Sequence, residues 1–334
     1  MIITFCIVAF NEEKTISKLL NNLLSQTYDR KKTEVLFVDG MSTDRTKAVF
    51  LDFAQKYSND YYKINVLDNP GKTLPCGWNV ALENYTGDAI VRVDAHAEIP
   101  SDFIERNVFH LSSGDMVCGG FRPNIIDEKT PWKETLLAAE SSMFGSSIAD
   151  YRRQGSDRKV KSIFHGAYMR EVFERVGKYN ENLARTEDND MHYRIIKAGY
   201  DIWFHPDIIS LEHTRNTIKG MIRQKYLNGY WIGRTLGIQP GCVSVFYLVP
   251  AAFVVAIIVT SLLAYFGSSM LAVMMWVVYL SLCVIMTITA FASSETNHPH
   301  YVLIPLIFVL LHLAYGIGTI KGIIAMITRK VKGE

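Results

Sequence analysis

The chain has 334 residues, 49% of them hydrophobic, and its 35 basic and 33 acidic side chains leave a formal charge of +2. Only six charged residues follow Cys242: Glu295, Lys321, Arg329, Lys330, Lys332 and Glu334. This split excludes a purely soluble enzyme, a disordered scaffold and a nucleic-acid binder driven by excess basic charge, and leaves a water-soluble part followed by a membrane part.

The opening MIITFCIVAF is apolar but has no basic flank and no small-residue cleavage site, so a buried strand is expected and not a signal peptide. After Asn11, EEKTISKLLNNLLSQ places Ile16, Leu19, Leu20, Leu23 and Leu24 at helical spacing. EVLFVDG reads as a second buried strand, TDRTKAVFLDFAQKY as a second helix and INVLDN as a third strand. The turn-like NPGKTLPCG then leads to a short helix, WNVALENY, and a fourth strand, DAIVRVDAH, ending in polar residues. Strand and helix alternating in this rhythm predict a mostly parallel α/β sheet covered on both faces, with ligands held beyond the carboxyl ends of the strands.

From Arg215 to Gly237 five basic residues (Arg215, Lys219, Arg223, Lys225, Arg234) and no acidic one are interleaved with apolar and aromatic side chains. The segment reads as an amphipathic helix at an anionic membrane surface, or as the solvated basic face of an ordinary helix; its position just before the first apolar run favours the surface. Three apolar runs follow, at 243–266, 270–292 and 301–320, each near the roughly 20 residues that cross a hydrocarbon core. Glu295, the one internal acid there, falls between two of them and is expected in a loop. The five scattered cysteines contain no CxxC pair, which indicates neither a disulfide framework nor a zinc cage and fits a reducing compartment.

Polar residues cluster at the strand ends: Asn11, Glu12 and Glu13 after the first, Asp39 after the second, Asp94 and His96 after the fourth. No GxGxxG or GxxxxGK[ST] accompanies them, so a metal ion is the remaining way to hold a diphosphate. Asp94 and His96, two apart, offer a carboxylate and an imidazole to Mn2+ or Mg2+, although such a pair read alone is also a turn-capping Asp beside a surface His. Further on, Thr186, Glu187 and Asp188 form TED ahead of a helical pattern. Alone the triplet is a helix cap; as chemistry, Asp188 is a general base with Glu187 in support.

With IVAFNEE, VDG, DAH and TED in this order, residues 1 to about 240 resemble the family 2 nucleotide-sugar glycosyltransferases of GT-A fold. The strings NPGKTLPCGWN, DAHAEIPSDF, VCGG, GAYMREVFERVGKYNE and RQKYLNGYW look like the exopolysaccharide, succinoglycan-type subgroup. The resemblance implies that Ala9, Asn11 and Glu12 line the base and ribose pocket, that Asp39 meets uracil, that Asn79 of the NPGKTLPCGWN string joins the nucleotide site, and that Asp94 with His96 stands in for the DxD metal pair. It further implies Asp188 as base and His213 near the metal-bound diphosphate. The QxxRW of processive synthases is absent, since Gln224 is followed by Lys225, Tyr226, Leu227 and Asn228, while Arg223 and Gln224 remain candidates to close over the nucleotide.

The expected organisation is a glycosyltransferase domain at 1–214, an interfacial segment at 215–240 and a membrane domain of about three helices at 241–334. The expected activity is inverting, metal-dependent transfer from a UDP-linked sugar to a lipid-linked glycan, in a multi-pass protein of the cytoplasmic membrane whose catalytic domain faces the cytoplasm. Membrane lipids are expected partners and nucleic acid is not. The alternatives are direct transfer to polyprenyl phosphate and a non-catalytic scaffold that binds nucleotide sugar.

Overall fold

β1 (Ile3–Ala9) and β2 (Thr33–Asp39) bury every residue, so each presents apolar side chains to both faces of a sheet. Ile3, Phe5, Ile7, Val35 and Phe37 pack on one face, under α1 (Ile16–Leu24), α2 (Thr46–Tyr57) and α4 (Phe103–Ser112). Cys6, Val8, Leu36 and Val38 pack on the other with residues of α3 (Leu74–Asn84), α6 (Arg170–Val176) and α7 (Glu187–Lys197). The inward stripe of α1 is Ile16, Leu19, Leu20 and Leu23; burying such side chains stabilises by about 1.5–3 kcal/mol each. Phe37 stacks on Phe50 at 4.4 Å and meets Phe53 edge-on, fixing α2 to the sheet.

This is a computed structural model describing residues 1–145, 149–292, 294, 296 and 298–332. The chain divides into two units, residues 1–123 with 149–212, and residues 124–148 with 213–334. The remaining strands are β3 (Lys63–Asp68), β4 (Ala89–Asp94), β5 (Val117–Phe121), β6 (Asn124–Ile125), β7 (Arg158–Lys159), β8 (Ala167–Met169), β9 (Trp203–Ile209) and β10 (Glu212–His213). The main sheet runs β3, β2, β1, β4, β8, β5, β9, β7, and β6 pairs with β10 as a ribbon. β1, β2, β3 and β4 pair in parallel, with Ala9 opposite Asp39, Asp39 opposite Asp68 and Val8 opposite Asp94, which brings their carboxyl ends to one edge. β8 enters antiparallel between β4 and β5, and β7 closes the edge antiparallel to β9. These two strands are three and two residues long, too short to show a period in the sequence.

The second unit is helical: α5 (Pro131–Ser141), α8 (Ile218–Thr235), α9 (Val249–Tyr265), α10 (Met270–Ala292) and α11 (Ile304–Lys332). Among the described residues three stretches are long and apolar enough to cross a membrane, Val245–Tyr265, Met270–Ala292 and Pro299–Thr328, close to the runs read from the sequence. Glu295 lies outside the described residues. The basic segment forms α8, but Lys225 does not join a solvated face: it is buried and donates to Glu140 of α5 at 2.8 Å. Leu136 and Ala139 of α5, Met221 of α8, Cys283 of α10, and Ile304, Phe308 and Leu311 of α11 form this unit's core.

Candidate active site

The parallel register sets the candidate residues along one edge. Asn11 adopts a left-handed conformation (φ 55°), and its side-chain oxygen accepts from the Thr43 amide at 2.8 Å while its own amide donates to Ser42 Oγ. The side chain thus ties the loop after β1 to the loop after β2. Asp39 is buried and accepts from the Ser42 amide through Oδ2, while its Oδ1 has no partner among the described residues. Asn69, just past β3, is similar: Nδ2 donates to the Thr73 carbonyl and Oδ1 is unpartnered. A cavity of about 70 Å³ opens here, lined by Ala9, Phe10, Gly40, Asn69, Lys72 and Thr73 among others. Buried acceptors without donors are costly, so two of them at one strand edge invite a ligand carrying N–H groups. Asn79 is used within the fold, its amide bracketing the backbone of Tyr179 and reaching Glu181.

At the end of β4, Asp94 lies 3.4 Å from the Arg122 guanidinium and 3.3 Å from His165 Nε2. Burial alone would raise its pKa, but His165 and Arg122 outweigh burial and hold the carboxyl well below the usual range. His96 turns Nδ1 to Glu12 Oε1 at 3.2 Å, and that contact raises its pKa. An imidazole oriented by a carboxylate on one nitrogen leaves the other to ligate, so an ionised Asp94 and His96 Nε2 fit a divalent cation whose shell is completed by phosphate oxygens. Behind Asp94, Arg122 bonds Glu212 at 2.5 Å and stacks on Phe164, and Arg152 bonds the same carboxylate. Burial would raise the Glu212 pKa; the two guanidinium groups bring it to about 2.

The TED triplet starts α7. Asp188 Oδ1 pairs with Arg92 Nη1, and Arg92 also donates to the Tyr179 hydroxyl at 2.6 Å. The guanidinium is sandwiched between the rings of Trp78 (4.2 Å) and Tyr179 (4.8 Å), which fixes it beneath the carboxylate. The Asp188 side chain is one-fifth exposed, whereas Glu187 is buried with Oε2 unpartnered among the described residues. Burial, then the neighbouring Asp188, pushes the Glu187 pKa well up, which favours its neutral form.

Arg92, Arg122, Arg152, His165 and Glu212 were not singled out in the sequence. One signal existed for Arg92: it interrupts a strand otherwise buried through Val93, and an arginine there needs a partner. His213, Arg223 and Gln224 belong to the second unit. A further group, His110, His205 and Asp207, brings possible ligand atoms within 4.8 Å. Its imidazoles stack face to face at 3.5 Å, and each is taken up by a carboxylate, Asp207 or Asp115, an arrangement that fastens α4 to β9.

The model of the family "Glycosyl transferase family 2" matches residues 4–177. A dolichyl N-acetyl-alpha-D-glucosaminyl phosphate 3-beta-D-2,3-diacetamido-2,3-dideoxy-beta-D-glucuronosyltransferase of Methanococcus voltae is 25% identical, over 96% of this chain and 97% of its own length. The succinoglycan biosynthesis protein ExoA of Rhizobium meliloti is 26% identical, over 68% of this chain and 67% of its own. Among solved structures, the mannosyltransferase PcManGT from Pyrobaculum calidifontis in complex with GDP-Man and Mn2+ superposes with a TM-score of 0.64 at 19% identity, covering 96% of this chain and 87% of that one, a likeness of fold.

Proposed function

The chain belongs to glycosyl transferase family 2, and on that premise we propose that it moves a sugar from a UDP-linked donor to a glycan carried on a membrane lipid, with inversion at the anomeric carbon. The observation that carries this reading is that β4 holds both Asp94 and, two residues earlier on the same face, the arginine bound to Asp188. One strand thereby links the diphosphate end of the donor to the acceptor's base. The unpartnered oxygens of Asp39 and Asn69 support recognition of a base through its N–H groups.

In this mechanism Arg92 occupies Oδ1 of Asp188 and leaves Oδ2 to take the acceptor hydroxyl's proton as that hydroxyl attacks the anomeric carbon from the face opposite the diphosphate. The raised Glu187 pKa favours a neutral neighbour for Asp188, whose charge Arg92 balances. Asp94 and His96 would hold a divalent cation, which when bound neutralises charge on the departing diphosphate. Arg122 keeps Asp94 ionised and oriented.

A lipid-linked acceptor is supported by the Methanococcus relative, whose name specifies a dolichyl phosphate sugar and whose match includes the apolar helices. The enzyme is accordingly a protein of the cytoplasmic membrane with residues 1–123 and 149–212 in the cytoplasm, where it meets its acceptor in two dimensions. A panel of UDP and GDP sugars, each offered with glycan-bearing lipid and with bare polyprenyl phosphate, tests the reading. UDP release that depends on the glycan-bearing lipid is expected, and release only with bare polyprenyl phosphate would contradict it.

A further inference from the structure

α8 and α11 touch backbone to backbone. A Cβ placed on Gly229 would fall 2.1 Å from the Tyr315 carbonyl oxygen, on Gly233 2.3 Å from the Thr319 oxygen, and on Gly237 2.2 Å from Met326 Cγ. From the other side, a Cβ on Gly318 or Gly322 would fall 2.1 Å from the carbonyl oxygen of Tyr226 or Tyr230, respectively. Contact positions rise together along both helices, so the two are parallel. At the amino ends, Ile218, Met221 and Ile222 of α8 share a core with Ile304, Ile307, Phe308 and Leu311 of α11. Packing therefore follows all of α8, about 27 Å at 1.5 Å per residue.

Parallel packing constrains the path through a bilayer. Were α11 to cross, α8 beside it would cross in the same direction and end on the far side. With α9 and α10 both crossing, α11 would then begin on that far side and run back, antiparallel to α8. An odd return between the two would need α8 to cross with Lys219, Arg223, Lys225 and Arg234 in 18 residues while one of the uncharged helices α9 and α10 stayed out. The first turns of α11 are also not surrounded by lipid. They lie against α5, whose Glu140 binds Lys225 and whose Glu134 binds His298, and His312 Nε2 meets the Phe144 carbonyl at 3.0 Å. Further along, Lys321 sits over the Tyr226 ring.

We propose that α11 is not a third membrane span but the partner of α8 at the membrane surface, and that the α9–α10 hairpin is the bilayer-inserted element, returning the C-terminus to the side of the N-terminus. The hairpin has the surface for it: Val255, Ile258 and Leu262 of α9 and Met274, Val277 and Val278 of α10 are all about half exposed or more. This path also leaves Lys321, Arg329, Lys330 and Lys332 on the side where basic residues accumulate.

The test uses full-length chain carrying a protease-cleavable tag at either end, in spheroplasts before and after permeabilisation. Both tags should resist protease in intact spheroplasts and be lost together on permeabilisation. Loss of the C-terminal tag alone from intact spheroplasts would overturn the proposal. A second arm compares Ile324→Lys on α11 with Val278→Lys on α10, both exposed positions. Ile324→Lys should stay in the carbonate-washed membrane fraction at the unsubstituted level while Val278→Lys is depleted; equal depletion would overturn it as well.

Discussion

Arg92 is the side chain on which the site's geometry turns. It is buried, held by two aromatic rings, and gives its charge to Asp188. Arg92→Met removes that charge and leaves Asp188 facing Glu187, at a cost of about 3 kcal/mol in stability, as for other broken buried ion pairs. The loosened carboxylate should lower transfer about 100-fold, and Arg92→Lys should recover part of both; denaturation curves and transfer rates on the same preparations check this. His192 offers a pH test. Buried against Tyr168 and Ser162, its pKa is brought down to about 4 by burial. A depressed histidine binds fewer protons folded than unfolded, so stability is full above pH 6.5 and falls as pH drops toward 4, by up to about 3 kcal/mol for the whole shift. His192→Gln should flatten that part of a melting-temperature profile. Asp39, Asp94 and His96 stand out in the sequence as chemistry-bearing residues at strand ends, and Asp188 as a carboxylate in the triplet that opens a helix. Arg92 and Arg122 do not, since their meaning lies in partners 96 and 90 residues away along the chain, Asp188 and Glu212.

At the scale of elements, the repeating strands and helices of residues 1–96 could be read because β1 and β2 are continuous apolar runs of strand length and α1 buries a stripe at helical spacing. The passage of residues 124–148 into the helical unit could not, since PWKETLLAAES looks like any half-buried helix and only Leu136 and Ala139 touching Phe308 and Leu311 reveal its destination. Likewise the sequence shows α11 as apolar but does not show that its glycines face those of α8. That interface is brittle. Gly322→Leu would drive a side chain into the Tyr230 carbonyl, a backbone atom that cannot step aside, and such overpacking costs about 1–3 kcal/mol or more. A lowered melting temperature in detergent is expected, with the helices after residue 213 the first region to lose amide-exchange protection.

For the whole molecule, the proposed roles of the metal pair, the base and the membrane helices can each be tested separately. Excess EDTA should abolish transfer, and added Mn2+ or Mg2+ should restore it. Asp94→Ala should eliminate restoration and His96→Ala weaken it, because in the proposed pair the carboxylate would be the charged ligand. Undiminished turnover in EDTA would remove the cation from the mechanism. The most direct measurement pairs calorimetric UDP binding with acceptor transfer for Asp188→Asn. Asparagine caps a helix about as well as aspartate but takes no proton at neutral pH, so a capping role and a catalytic one separate here. UDP affinity close to that of the unsubstituted enzyme, with transfer reduced by about 10² to 10⁴, is the expected result; substantial transfer by the asparagine variant would contradict Asp188 as the base.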